Sequence, residues 1–149
     1  MVMSIQADTP QGRWVHRLGY AGLIPFVAGA ALLYLVTEDV LPLVSIALTA
    51  YAAVIASFLG GIHWGLALRE NSAQRTVHLI WGVIPSLLAW VAVVMPAYAG
   101  LPLLGLILLA CYLVDRSTWP AAGLRAWMTL RFRLTLISVL SCLLGAAAA

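Results

Sequence analysis

Five apolar blocks, at residues 18–36, 41–68, 77–95, 101–115 and 134–149, take up most of the chain and constrain it more than any other feature. About 20 apolar residues carry a helix across a hydrocarbon layer of about 30 Å. Inside lipid every backbone polar group must be satisfied within the segment or a closed barrel, so blocks of this length fold as helices. The sequence therefore predicts an all-α fold, a polytopic transmembrane bundle of about five spans that uses residues 1–149 as one unit. Charged residues are 9% of the chain, far below the quarter or so usual in soluble domains, so a soluble catalytic domain is excluded. With 64% hydrophobic residues a disordered chain is excluded as well.

The charges report topology. All eight basic residues are arginines, and with five spans Arg13, Arg17, Arg69, Arg75, Arg116, Arg125, Arg131 and Arg133 fall on one side while Glu38 and Asp39 fall on the other. This bias predicts a cytoplasmic N-terminus and a C-terminus outside. Because the arginines are dispersed between apolar blocks, the net charge of +3 points to the lipid bilayer and not to nucleic acid. Residues 1–17 are polar and no signal-peptide cleavage pattern follows, so the first span is expected to stay as an anchor.

Two blocks have awkward lengths. Residues 101–115 make a helix of only about 22 Å, and the block is kept as a span because dropping it would destroy the arginine bias. Residues 41–68 make about 42 Å, so that helix must tilt, protrude or break, with Gly60 and Gly61 as the expected place for a break. Pro25 and Pro85 lie inside spans and predict kinks that free the carbonyls of Ala21 and Trp81. Pro42, Pro96, Pro102 and Pro120 read as punctuation near block ends. There is no internal repeat. Cys111 and Cys142 lack any metal or haem-attachment spacing.

The second block carries small residues at steps of four: Ser45, Thr49, Ala53, Ser57, Gly61 and Gly65. Such residues let helices approach closely, so Ala53, Ser57, Gly60, Gly61 and Gly65 are the candidate helix-packing positions, within the bundle or against another subunit. His63 follows the glycine pair deep in the span, and ionisable groups there are functional candidates. The short connection from Arg69 to Arg75 makes a hairpin that brings His63 and His78 to one depth, with Trp81 a little deeper. Asp115, Trp119, Trp127, Arg131 and Arg133 arrive at the same layer. The candidate ligand-binding residues are His63, Trp64, His78, Trp81 and Arg131.

Three readings of this layer stand side by side. It is an aromatic and arginine belt with a satisfied histidine, a pocket for a quinone or lipid headgroup, or a bis-histidine haem site using His63 and His78. No catalytic or metal-binding set is assigned, since no GxSxG elbow, HExxH, Walker or Rossmann pattern is present. No carboxylate is placed to orient His63 against Ser57 or Ser86. The span interiors hold no Asp, Glu, Lys or Arg, which argues against a proton-coupled carrier.

The runs at residues 18–26, LGYAGLIPF, 57–65, SFLGGIHWG, and 85–90, PSLLAW, together with Trp127, Leu130-Arg131 and Leu134-Thr135, resemble the domain of unknown function 3429 family. These are small multi-pass proteins of the transmembrane protein 69 type. The resemblance implies a bacterial inner-membrane or mitochondrial protein with no assigned reaction, in which Gly60, Gly61, His63, Trp64, Pro85, Trp90 and Arg131 act as a set. Trp119-Pro120 and the alanine-rich tail depart from the pattern.

Two functions are expected in consequence. The first is a non-catalytic accessory subunit or assembly factor of a larger respiratory or photosynthetic membrane complex. The second is a small binder of a hydrophobic ligand such as quinone or haem.

Overall fold

A computed structural model describes residues 6–69 and 71–149. The first five residues of the polar N-terminal stretch lie outside it. Among the described residues all regular structure is helical: α1 (Pro10–Ala21), α2 (Ile24–Leu35), α3 (Leu41–Ala67), α4 (Arg75–Val94), α5 (Ala97–Thr118), a short 3-10 turn (Arg125–Trp127) and α6 (Met128–Ala148). With α1 and α2 counted together, five helices are long and apolar enough to cross a membrane. Large apolar side chains such as Leu35, Leu43, Trp90, Val94 and Leu106 face outward, as a lipid solvent allows.

The structure corrects several boundaries. The first span does not start at residue 18 and kink at Pro25. α1 ends at Ala21, and α2 begins afresh at Ile24 with Pro25 in its first turn, where a missing N–H costs nothing. The carbonyl of Gly22, in the break, accepts the Tyr51 hydroxyl from α3 at 2.7 Å. That bond fixes the break against the bundle. Tyr51→Phe is expected to cost about 1 kcal/mol, and a loss below a quarter of that in detergent unfolding would show that the bond does not hold the break.

The second span does not break at Gly60-Gly61. α3 is one helix of 27 residues, long enough to extend beyond the hydrocarbon. The supposedly short fourth span is a helix of 22 residues. Its start is set at Pro96, Pro102 is accommodated inside it, and it continues past Asp115 to Thr118. The hydroxyls of Ser117 and Thr118 both donate to the carbonyl of Val114 there. The last span likewise begins six residues before 134, at Met128, so Arg131 and Arg133 lie within it. Pro85 sits inside the continuous helix α4.

These shifts overturn one expectation directly. Asp115 and Arg131 are charged residues in the buried interior of membrane helices, 1% and 6% exposed.

The core runs along α2, α3, α5 and α6 through Phe26, Leu48, Ala52, Leu101, Leu104, Leu108 and Cys142. α4 packs on α3 through glycine. A Cβ at Gly60 would collide with the carbonyl oxygen of Gly82, and one at Gly82 would strike the Trp64 ring. At the arginine-bearing end, Arg75 donates to the carbonyls of Ala67 and Arg69, both at 3.0 Å, and so closes the C-terminus of α3. Arg69 reaches the carbonyl of Ala122 at 3.0 Å and ties that end to the loop before α6, which turns at Gly123 with φ +80°.

Candidate functional site

Four helices place five polar side chains into a single chain of bonds, two of them from α6. His63 on α3 and His78 on α4 meet through their Nδ1 atoms at 2.8 Å. His63 Nε2 lies 2.7 Å from Asp115 Oδ1 on α5. Arg131 on α6 donates from Nε to Asp115 Oδ2 at 2.8 Å and from Nη1 to the Thr135 hydroxyl at 2.5 Å. His63, His78 and Asp115 are each 2% exposed or less.

The proton positions follow from charge. A guanidinium is always protonated and carries only donors, so the Asp115 carboxylate accepts from it. The His63 Nε2–H therefore donates to Asp115. With both rings neutral, His63 Nδ1 accepts and the His78 Nδ1–H donates, which leaves His78 Nε2 as a lone pair with no protein partner among the described residues. Buried charges are tolerated when paired and hydrogen-bonded in this manner.

Beside the cluster lies a cleft of about 1240 Å³ between α1, α3, the loop before α6 and α6 itself. Leu59, Ile62, Leu66, Leu130 and Leu134 give it apolar walls, and His78, Trp119 and Arg131 also line it. Two buried donors there lack partners, Arg131 Nη2 and Trp119 Nε1. Unpaired buried donors carry a desolvation penalty that a ligand's acceptor relieves.

Of the five candidate ligand-binding residues, His63, His78 and Arg131 come together. Trp64 and Trp81 do not join them. Trp64 is half exposed and straps α3 to α4 by donating from Nε1 to the carbonyl of Leu79 at 3.1 Å. Trp81 packs against the main core. Asp115, Trp119 and Thr135 belong to the site but were not among its candidates. The sequence does carry the aspartate to this layer, yet ending the fourth span at residue 115 made it look like a helix terminus.

Two chemical expectations change. The histidine pair does not fit bis-histidine haem ligation, because an ion held by two bonds of about 2 Å would part the nitrogens by about 4 Å, and they are hydrogen-bonded at 2.8 Å. A carboxylate does orient His63, contrary to expectation. The two serines considered as nucleophiles do not accompany it: the Ser57 and Ser86 hydroxyls donate to the carbonyls of Ala53 and Val83 on their own helices.

The helix-packing candidates divide by exposure. Successive steps of four residues advance 40° beyond a full turn. The ladder thus winds from buried Ser45 and Thr49, through half-buried Ala53, to exposed Ser57, Gly61 and Gly65. Gly60 is the glycine in the α3–α4 contact, whereas a Cβ at Gly61 or Gly65 meets nothing within 4 Å.

The family described as "Protein of unknown function (DUF3429)" matches residues 12–147. The chain belongs to that family. The chain is similar to transmembrane protein 69 of Xenopus tropicalis, 51% identical over 77 residues that cover 50% of this chain and 30% of the relative. Transmembrane protein 69 of Mus musculus is 39% identical over 75 residues, covering 49% and 30%. The chain therefore matches less than a third of the length of these relatives. No solved structure matches. Family membership and the five apolar helices make the protein a multi-pass membrane protein.

Proposed function

We propose that this DUF3429 protein is a non-catalytic membrane protein that binds a small amphiphile in the cleft beside the buried cluster. The observation that carries this reading is the pair of unpartnered donors, Arg131 Nη2 and Trp119 Nε1, on residues that line an otherwise largely apolar cavity. A head group with acceptor oxygens, such as a quinone or a lipid carbonyl, satisfies those donors while its tail lies along Leu59, Ile62, Leu130 and Leu134. The arginine-bearing end faces the cytoplasm under the positive-inside rule, in a bacterial inner membrane or its mitochondrial counterpart.

Ile62→Trp, which fills the cleft without touching the polar chain, tests the reading. Purified wild-type protein should bind a short-tailed quinone, and the variant should bind it at least tenfold more weakly with its melting temperature little changed. Equal affinities would place the quinone elsewhere.

A second reading keeps the expectation of an accessory subunit or assembly factor in a larger membrane complex. Gly61 and Gly65 favour it, because they leave an outward-facing groove on α3 that nothing in this chain fills. Gly61→Leu should then abolish co-purification with a partner complex while leaving membrane insertion intact. Unchanged co-purification would remove this reading.

A further inference from the structure

We infer that the cleft takes a carboxylic amphiphile, a hydrocarbon chain ending in one weak acid group, and that each molecule enters with one proton, which the His78–His63–Asp115 chain receives. This names a ligand class for the cleft and so rests on the binding reading above. The argument starts from the order of the bonds. Asp115 is fixed as an acceptor by Arg131, so the His63–His78 contact contains one mobile proton and has two arrangements.

In the neutral arrangement that proton sits on His78 Nδ1, and His78 Nε2 is a lone pair. When Nε2 takes up a proton, the Nδ1 proton passes to His63. His63 becomes an imidazolium, and its charge lies against the Asp115 carboxylate 2.7 Å away. A proton received at the cleft is thus stored one residue deeper, beside a counter-charge.

Charge balance selects the ligand. With both imidazoles neutral the cluster sums to zero, Asp115 against Arg131. A carboxylate entering alone would bring an uncompensated negative charge into a low-dielectric site, which is costly. With one proton on the histidine pair the sum returns to zero, and the carboxylate enters a cleft lined by His78, Arg131 and Trp119, of which Arg131 Nη2 and Trp119 Nε1 are donors without a partner among the described residues. The charged and titratable groups around His78 are His63 from α3, Asp115 from α5 and Arg131 from α6. Arg75 lies one turn away on its own helix, Arg69 on the cleft wall, and Cys111 is buried on α5. A neutral head group gains nothing from the proton; a permanent anion such as a phosphodiester meets the same charge balance but must enter as an ion and draw its proton separately, whereas a weak acid brings the proton with it.

The experiment is calorimetric titration of the full chain in mild detergent with dodecanoate, and with methyl dodecanoate as the neutral probe, in buffers of different ionisation enthalpy. Between pH 7 and 9 dodecanoate should bind with close to one proton taken up, and its affinity should fall about tenfold per pH unit, while the ester shows neither effect. His78→Asn keeps a donor toward His63 and removes the Nε2 base. It should abolish the proton uptake that accompanies dodecanoate. Dodecanoate binding without proton uptake in the wild type, or full uptake in His78→Asn, would overturn the proposal. Ester binding with no dodecanoate binding would overturn it too while leaving the binding reading intact, and failure of both probes to bind would remove both. The wild-type proton count needs no variant, so a misfolded His78→Asn does not rescue the idea.

Discussion

Asp115→Leu is expected to lower stability by about 3–5 kcal/mol, the cost of leaving one partner of a buried ion pair alone. Asp115 is the shared acceptor for two donors, His63 Nε2–H and Arg131 Nε–H, so its loss strands a charge and a neutral N–H together. The partner experiment gives this its meaning. Asp115→Leu combined with Arg131→Leu removes both charges, and apolar replacement of a buried pair is often close to neutral. The double variant should therefore recover most of the loss, short of the penalty for the unpaired His63 N–H, about 1–3 kcal/mol. Unfolding of the three variants in the same detergent measures it. A double variant as unstable as Asp115→Leu alone would mean that the loss comes from packing at residue 115 and not from charge.

The second large effect is expected at the glycine contact of α3 and α4. Gly60→Val places branched carbons where the Gly82 carbonyl lies, and backbone cannot move aside as a side chain can. Overpacking of this kind costs about 1–3 kcal/mol and at times more. The displacement would also separate His63 from His78, one helical turn from the contact, so ligand binding should weaken in step with stability. Gly61→Val supplies the control, since its side chain would project into open space. Its expected change is within about 0.5 kcal/mol, as for a surface position. Equal destabilisation by the two substitutions would show that helix propensity, and not the close approach, sets the cost.

The fold was legible in the sequence because length and hydropathy decide almost everything in a bilayer. The five spans and the hairpin that joins His63 to His78 follow from block lengths and one short loop. Helix ends were less legible, because apolarity does not mark where a helix stops when polar residues continue it inside the protein. Asp115 was read as the last residue of its span and Arg131 was left ahead of the next, and both turned out to lie inside helices and to complete the buried chain. The winding ladder shows the other limit. Four-residue spacing finds neighbours on a helix, yet over twenty residues it drifts around the cylinder, so Ser45 and Gly65 do not share a face. Trp64 and Trp81 stand near the histidines in sequence but serve as a strap and as core packing: Trp64, one position after His63, lies about 100° around the helix, and Trp81, almost a turn beyond His78, packs on the main core.

Leu18 on α1 and Phe58 on α3, both lining the cleft, are 64% and 65% exposed. On a membrane-spanning helix such side chains meet acyl chains, so under the binding reading proposed above the cleft would open toward the leaflet. A guest that dissolves in the membrane reaches it by lateral diffusion, and occupancy follows the guest's mole fraction among lipids and not its concentration in water. A site fed from such a reservoir would stay filled with only modest contact energy.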